Sequence, residues 1–123
     1  MEISGGADVN EQGLLGTPLS FASFMGLKEV VEILITYGAD VNFPATYESQ
    51  FYGTPLCSAV RSSRRESFEI AKLLIDGGAN VNVKDRVGHT VLDLAILDKR
   101  TEIAGLLRKH GGKTGEELEA EDK

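Results

Sequence analysis

The stretch Thr17–Asn42, TPLSFASFMGLKEVVEILITYGADVN, decides the fold, because helix start, turn, second helix and stop signals follow one another in it and recur twice downstream. Thr17 before Pro18 suits a helix start: a threonine hydroxyl caps orphan backbone N–H groups, and proline costs nothing at the first helical position. Leu19, Ala22 and Ser23 share one narrow face, and Gly26 then supplies a residue tolerant of left-handed angles where the chain reverses. From Lys28 the spacing of Val30, Val31, Ile33, Leu34 and Ile35 predicts a second helix with a wide apolar face, stopped at Gly38. The unit is a pair of helices packed as a hairpin.

Such a pair buries too little area to offset the ordering of its backbone, about 1–2 kcal/mol per residue, so it needs neighbours. Repetition supplies them. Thr54–Asn82 reads TPLCSAVRSSRRESFEIAKLLIDGGANVN and Thr90–Gly111 reads TVLDLAILDKRTEIAGLLRKHG, with the aliphatic ladder returning as Ile70, Ala71, Leu73, Leu74 and as Ile103, Ala104, Leu106, Leu107. Periods of this length mark stacked solenoids.

TPL at 17–19 and 54–56, GADVN at 6–10 and 38–42, and GANVN at 78–82 resemble the ankyrin repeat, in register, from about Gly6 to Gly112. The resemblance implies an all-α repeat solenoid: an L-shaped stack of helix pairs with hairpin-like fingers along one edge. It also implies a function, the binding of other proteins, with no chemistry of its own. Residues 1–16 then hold the end of a partial repeat and the first finger, 17–112 the stack (repeats 17–42, 54–82 and 90–112), and 113–123 an acidic tail expected to be disordered or a frayed helix. The family's usual histidine after TPL is replaced by Ser20, Cys57 and Asp93. Asp93 is expected to form a capping box with Thr90. Proline gives way to Val91.

The 123 residues, 41% apolar, fit one domain whose core grows by stacking. With 13 basic and 19 acidic residues the formal charge is −6, which argues against duplex DNA or an anionic membrane and favours a basic partner surface. The single Cys57 excludes an internal disulfide framework and fits a reducing compartment, with the cytoplasm the expected location. No stretch reaches the roughly 20 apolar residues that span a bilayer, and no signal-peptide pattern opens the chain. Because the sequence opens mid-repeat, two expectations follow. The chain is the C-terminal piece of a longer array, or its open N-terminal face is closed by a partner or by a second copy as a homodimer.

Two insertions break the regular spacing. Twelve positions separate Asn42 from Thr54, against eight from Asn82 to Thr90, and the longer connection carries Phe43, Tyr47, Phe51 and Tyr52, half of the chain's eight aromatic residues. These rings either pack on one another to order a long loop or anchor an interface. Within the middle repeat RSSRRES adds three residues and places Arg61, Arg64 and Arg65 together, the one locally basic spot. They form a solvated turn paired with nearby glutamates, grip an acidic partner segment, or make Ser67 a phosphorylation target.

No nucleophile, acid–base pair, metal-ligand cluster or phosphate-binding glycine loop stands out, so no catalytic residue, metal or cofactor is expected. Cys57 reads as a small core residue. The recurring Asp40, Asn80, Asn10, Asn42 and Asn82 read as structural, their short side chains bonding local backbone at the turns. By resemblance, the partner surface comprises the finger tips and the helix positions before each turn: Gly13, Leu14, Phe24, Met25, Arg61, Ser62, Arg86, Val87, His89, Leu97 and Asp98. Phe24 and Met25, joined to the aromatic finger, are the expected hot spot. Basic residues at Arg108, Lys109 and His110 in the last repeat, where earlier units carry Ile35 and Ile75, are expected to cap the stack and complement the helix dipole.

Overall fold

The computed structural model describes residues 17–43, 54–84 and 88–121. Among them the chain forms seven helices and no strand: α1 (Pro18–Met25), α2 (Lys28–Thr36), α3 (Pro55–Arg61), α4 (Ser67–Asp76), α5 (Val91–Leu97), α6 (Thr101–Lys109) and α7 (Gly115–Glu121). α1–α2, α3–α4 and α5–α6 are three hairpins. The short first helices pack side by side in one layer, α1 on α3 and α3 on α5, and the longer second helices form the other, α2 on α4 and α4 on α6. This is an all-α repeat solenoid, as the sequence predicts.

Capping chemistry starts α1 and α5, whereas Thr54 begins α3 without a side-chain cap and directs its hydroxyl to Cys57 Sγ. Thr17 Oγ1 accepts from Ser20 N at 3.1 Å with proline at the first helical position. At α5 the capping box is complete: Thr90 Oγ1 accepts from Asp93 N at 3.2 Å, and Thr90 N donates to Asp93 Oδ2 at 3.0 Å. Val91 at the proline position is fully buried. Each long helix stops at a left-handed glycine, Gly38, Gly78 or Gly111, with φ between 87° and 99°. The amide that follows folds back onto the helix, as in Ala39 N to Leu34 O and Ala79 N to Leu74 O, both 2.9 Å. This satisfies carbonyls that a helix end otherwise leaves without partners.

Burial follows the repeat register. Leu19, Leu56 and Leu92 each stand two positions after their capping threonine and are buried, and Ala22, Ala59 and Ala95, five positions after it, have no exposed surface at all. The three alanines let the first helices approach closely. Leu34, Leu74 and Leu107 fill the second layer beside Val31 and Ala71. Cys57 lies in the same core, its Sγ 3.6 Å from Thr54 Oγ1. The hydroxyls of Ser20, Ser23 and Ser58 are buried without a hydrogen-bond partner among the described residues.

Successive pairs are fastened by asparagine. Asn42 Nδ2 donates to Gly78 O at 3.1 Å and its Oδ1 accepts from Asn80 N at 2.7 Å. Asn82 repeats this one unit on, donating to Gly111 O at 3.2 Å and accepting from Lys113 N at 2.8 Å. The sequence reading assigned all these residues to local turns. That holds for Asp40 and Asn80, which accept from Asn42 N and Asn82 N two residues on, both at 2.9 Å. Asn42 and Asn82 instead reach the following repeat.

In the tail, for which disorder or a frayed helix was the expectation, residues 115–121 form α7. Thr114 caps it: its Oγ1 accepts from Glu117 N at 3.1 Å, while Thr114 N donates to Glu117 Oε1 at 2.9 Å. Non-local bonds then hold the segment on the third repeat. Thr90 Oγ1 donates to Lys113 O at 2.7 Å, Gly115 N to Asp93 Oδ2 at 2.8 Å and an Arg108 guanidinium N–H to Glu117 Oε1 at 2.7 Å; Lys113 Nζ pairs with Glu121. Composition alone hid these docking bonds.

Candidate partner-binding surface

The first helices end in one register. Phe24, Arg61 and Leu97 each follow their capping threonine by seven positions, at the C-terminal ends of α1, α3 and α5. The packing of α1 on α3 and of α3 on α5 brings the three ends into a row. Phe24 and Met25 are half-buried and Arg61 is exposed. At the far end of the row Ile96 and Leu97 are 51% and 64% exposed, large apolar side chains facing solvent. Sequence reasoning named Leu97 and Asp98 by resemblance, and missed Ile96. Ile96 occupies the register of the buried Ser23 and Val60, and it is exposed because no further first helix packs beyond α5 among the described residues.

One expected surface residue belongs elsewhere. Ser62 is fully buried: its hydroxyl donates to Phe24 O at 2.6 Å and accepts from Arg64 N at 3.2 Å. It joins the ends of α1 and α3 and sets the spacing of Phe24 and Arg61.

The fingers are described in part. Phe43 is half-buried where the chain leaves the first repeat, its N–H donating to Asp40 O at 3.2 Å. His89 is exposed beside Thr90, which pairs with Lys84 in an isolated antiparallel bridge. Tyr47, Phe51, Tyr52 and Arg86, together with Gly13, Leu14 and Val87, lie outside the described residues, so the aromatic finger is not placed against Phe24 and Met25.

Arg64 and Arg65 are exposed in the loop before α4, and they do not simply extend the row. They line a cavity with Lys99 and Arg100 from the next repeat, two residues the sequence reading did not single out. The signal was present: Lys99 stands nine positions after Thr90, as Gly26 does after Thr17, so a cation replaces a turn glycine. Both residues are left-handed, with φ 58° at Lys99 and 75° at Gly26.

Among the described residues, electrostatic shifts fall on Asp93, Glu117 and Lys28. Burial tends to raise the Asp93 carboxyl pKa, but donation from the Gly115 and Thr90 backbone amides and the Thr90 hydroxyl outweighs it and holds the group below its ordinary value. The Arg108 guanidinium lowers Glu117, and the Glu69 carboxylate raises Lys28, whose Nζ lies 3.0 Å from it. Among the described residues there is no grouping of three or more histidine, cysteine or acidic side chains able to hold a metal ion. Nor is any described helix long and apolar enough to cross a membrane.

Comparison with known proteins agrees with this geometry. The chain is 38% identical over 112 residues to ankyrin repeat and SOCS box protein 11 of Mus musculus, covering 89% of this chain and 32% of that protein. It is 34% identical over 82 residues to an ankyrin repeat protein of Acanthamoeba polyphaga mimivirus, covering 67% of this chain and 49% of the viral one. It is also 37% identical over 112 residues to the E3 ubiquitin-protein ligase Ufd4 of Drosophila melanogaster, covering 88% of this chain but 4% of the ligase. The chain thus spans about a third of the mouse protein and about half of the viral one. The sequence profile of the ankyrin repeat matches residues 16–45 and 53–86, more than half of the 123 residues. On that match and on its stacked helix pairs, the chain belongs to the ankyrin repeat family.

Proposed function

We propose that this chain is a non-enzymatic module that captures a protein partner along the row of first-helix ends and the adjoining fingers. Ankyrin repeats generally mediate protein–protein interaction, and the family is typically without catalysis. The observation that carries the reading is the apolar surface along the first-helix ends: exposed Leu97 and Ile96 at one end of the row, half-buried Phe24 and Met25 at the other, with exposed Arg61 between them. Exposed apolar and aromatic groups flanked by arginine are typical interface anchors. The ligase activity in the name of the Drosophila relative is not carried over, since so small a part of that protein is matched. A reducing, cytoplasmic setting is proposed from the single, buried Cys57.

Capture by the immobilised chain, followed by mass spectrometry and a binding isotherm for whatever is retained, tests this. Leu97→Asp combined with Phe24→Ala should weaken the retained partner at least about tenfold, as loss of a hot spot does, with the melting curve little changed. Undiminished affinity would remove the row from the interface.

A second reading has its own support. On α2, Leu27 at its N-terminus, Ile33 and Tyr37 at its C-terminus are 41%, 45% and 61% exposed, whereas Leu73 and Leu106, at the register of Ile33, are half-buried in the stack. This apolar flank fits self-association of two copies.

A further inference from the structure

Basic side chains collect round one cavity, on loops from two different repeats. Arg64 and Arg65 precede α4, Lys99 and Arg100 precede α6, and together with Ser67 and Thr101 they line a space of about 360 Å³. Glu102 is the one acidic residue in that lining, on a chain whose formal charge is −6. Arg100 is fixed in place, a guanidinium N–H donating to Ser67 Oγ at 3.0 Å. Arg64, Arg65 and Lys99 make no ion pair with any described residue. Ser67 and Thr101 are the first residues of α4 and α6, so the positive ends of two helix dipoles add to the same field. Four cations against the single Glu102 carboxylate leave an excess of like charge that repels itself, and a bound anion would relieve this.

We infer that this cavity accepts a short carboxylate-rich segment of the protein partner. The inference rests on the chain being a protein-binding module, but it uses a different surface from the row of helix ends. The chemistry selects the occupant in two steps. At long range the net negative charge repels extended polyanions such as a duplex or an anionic bilayer; within a Debye length, about 8 Å at physiological salt, the local cations dominate. A few glutamates or aspartates on a flexible segment can enter that short-range field without presenting a large charged body to the rest of the chain. Arg64 and Arg65 offer forked donors that suit carboxylates, and Lys99 a compact point charge.

Fluorescence anisotropy with a fluorescein-labelled hexaglutamate peptide tests the inference on the full chain. Binding should be saturable at about 0.05 M salt and weaken steeply by about 0.2 M, as expected for ionic contacts. The Arg65→Ala/Lys99→Ala double variant should bind at least about tenfold more weakly. Lys72→Ala/Lys109→Ala, which removes two exposed cations outside the cavity, should stay within about twofold of the parent. If the alanine pair melts lower, Arg65→Gln/Lys99→Gln replaces it. Leu97→Ala, which adds no charge near Lys99, should leave peptide binding unchanged, so failure of the helix-end row and failure of this cavity are read separately. Lack of saturable binding to the parent would overturn the inference. So would equal losses in the two double variants, which means diffuse attraction, or binding to phosphatidylserine vesicles without binding to the peptide.

Discussion

Asp93 illustrates how much one side chain can hold. Its carboxylate accepts from the amides of Thr90 and Gly115 at 3.0 and 2.8 Å, so it closes the α5 cap and fastens the start of α7. Its pKa is below the ordinary value in the folded chain, so its contribution to stability is complete above the unfolded pKa of about 3.9 and disappears as pH falls through the folded value. Asp93→Asn should therefore lower the unfolding free energy measured in urea at pH 7, by about 1.5–3 kcal/mol for hydrogen bonds to a charged group, with the deficit shrinking as pH falls from about 5 towards 3. A deficit that stays constant across that range would mean the charge contributes nothing. The capping pair was legible in the sequence, because Thr90 and Asp93 are three positions apart and the chemistry is local. The bond to Gly115 was not legible, since it joins residues 22 apart that nothing in their spacing links.

At the scale of the element, boundaries set by local rules were readable and those set by neighbours were not. Lys28 starts α2, Pro18 starts α1, and Gly26 and Gly38 end the pair as their backbone freedom predicts. The RSSRRES insertion obscured the end of α3: by repeat register Ser62 should face solvent, yet its hydroxyl is turned inward to Phe24 O. At α7 an acidic composition argues for disorder only where no counter-charge or capped site waits for it, and Arg108 and Thr114 supply both. Gly26 is the most sensitive of the turns. Besides its φ of 75°, a Cβ there would lie 2.6 Å from Arg64 Cβ. Gly26→Ala should cost at least about 1–2 kcal/mol for the left-handed backbone, and more for displacing the Arg64 loop, as measured by chemical denaturation. Lys99→Ala, which changes neither the turn's backbone handedness nor its Cβ, should cost far less. Equal losses would show that the contact with Arg64 is not what makes glycine necessary at Gly26.

Across the whole molecule the three helix pairs form two layers, each pair shielding the next, and the exposed apolar groups gather at the edges of the stack. Leu97 and Ile96 mark one edge, Leu27, Ile33 and Tyr37 another. If the α2 flank joins two copies, sedimentation velocity over a concentration series should show a dimer that Ile33→Asp converts to monomer without loss of helicity. A concentration-independent monomer would end the self-association reading and leave that flank to another partner. Stacking itself was legible because its signals repeat with the period of the unit. Which exposed side chains act together was less so, since that depends on which loops the stacking brings face to face, as with Arg65 and Lys99.

The asparagine fastenings have one more implication. Asn42 and Asn82 grip only amide N–H and carbonyl groups of the succeeding unit, atoms that are the same whatever amino acid carries them. A joint of that kind is indifferent to the identity of the outward residues. Recognition can consequently be rewritten position by position on the outer surface while the joints keep their strength, so what the chain grips and what holds it together are free to change independently.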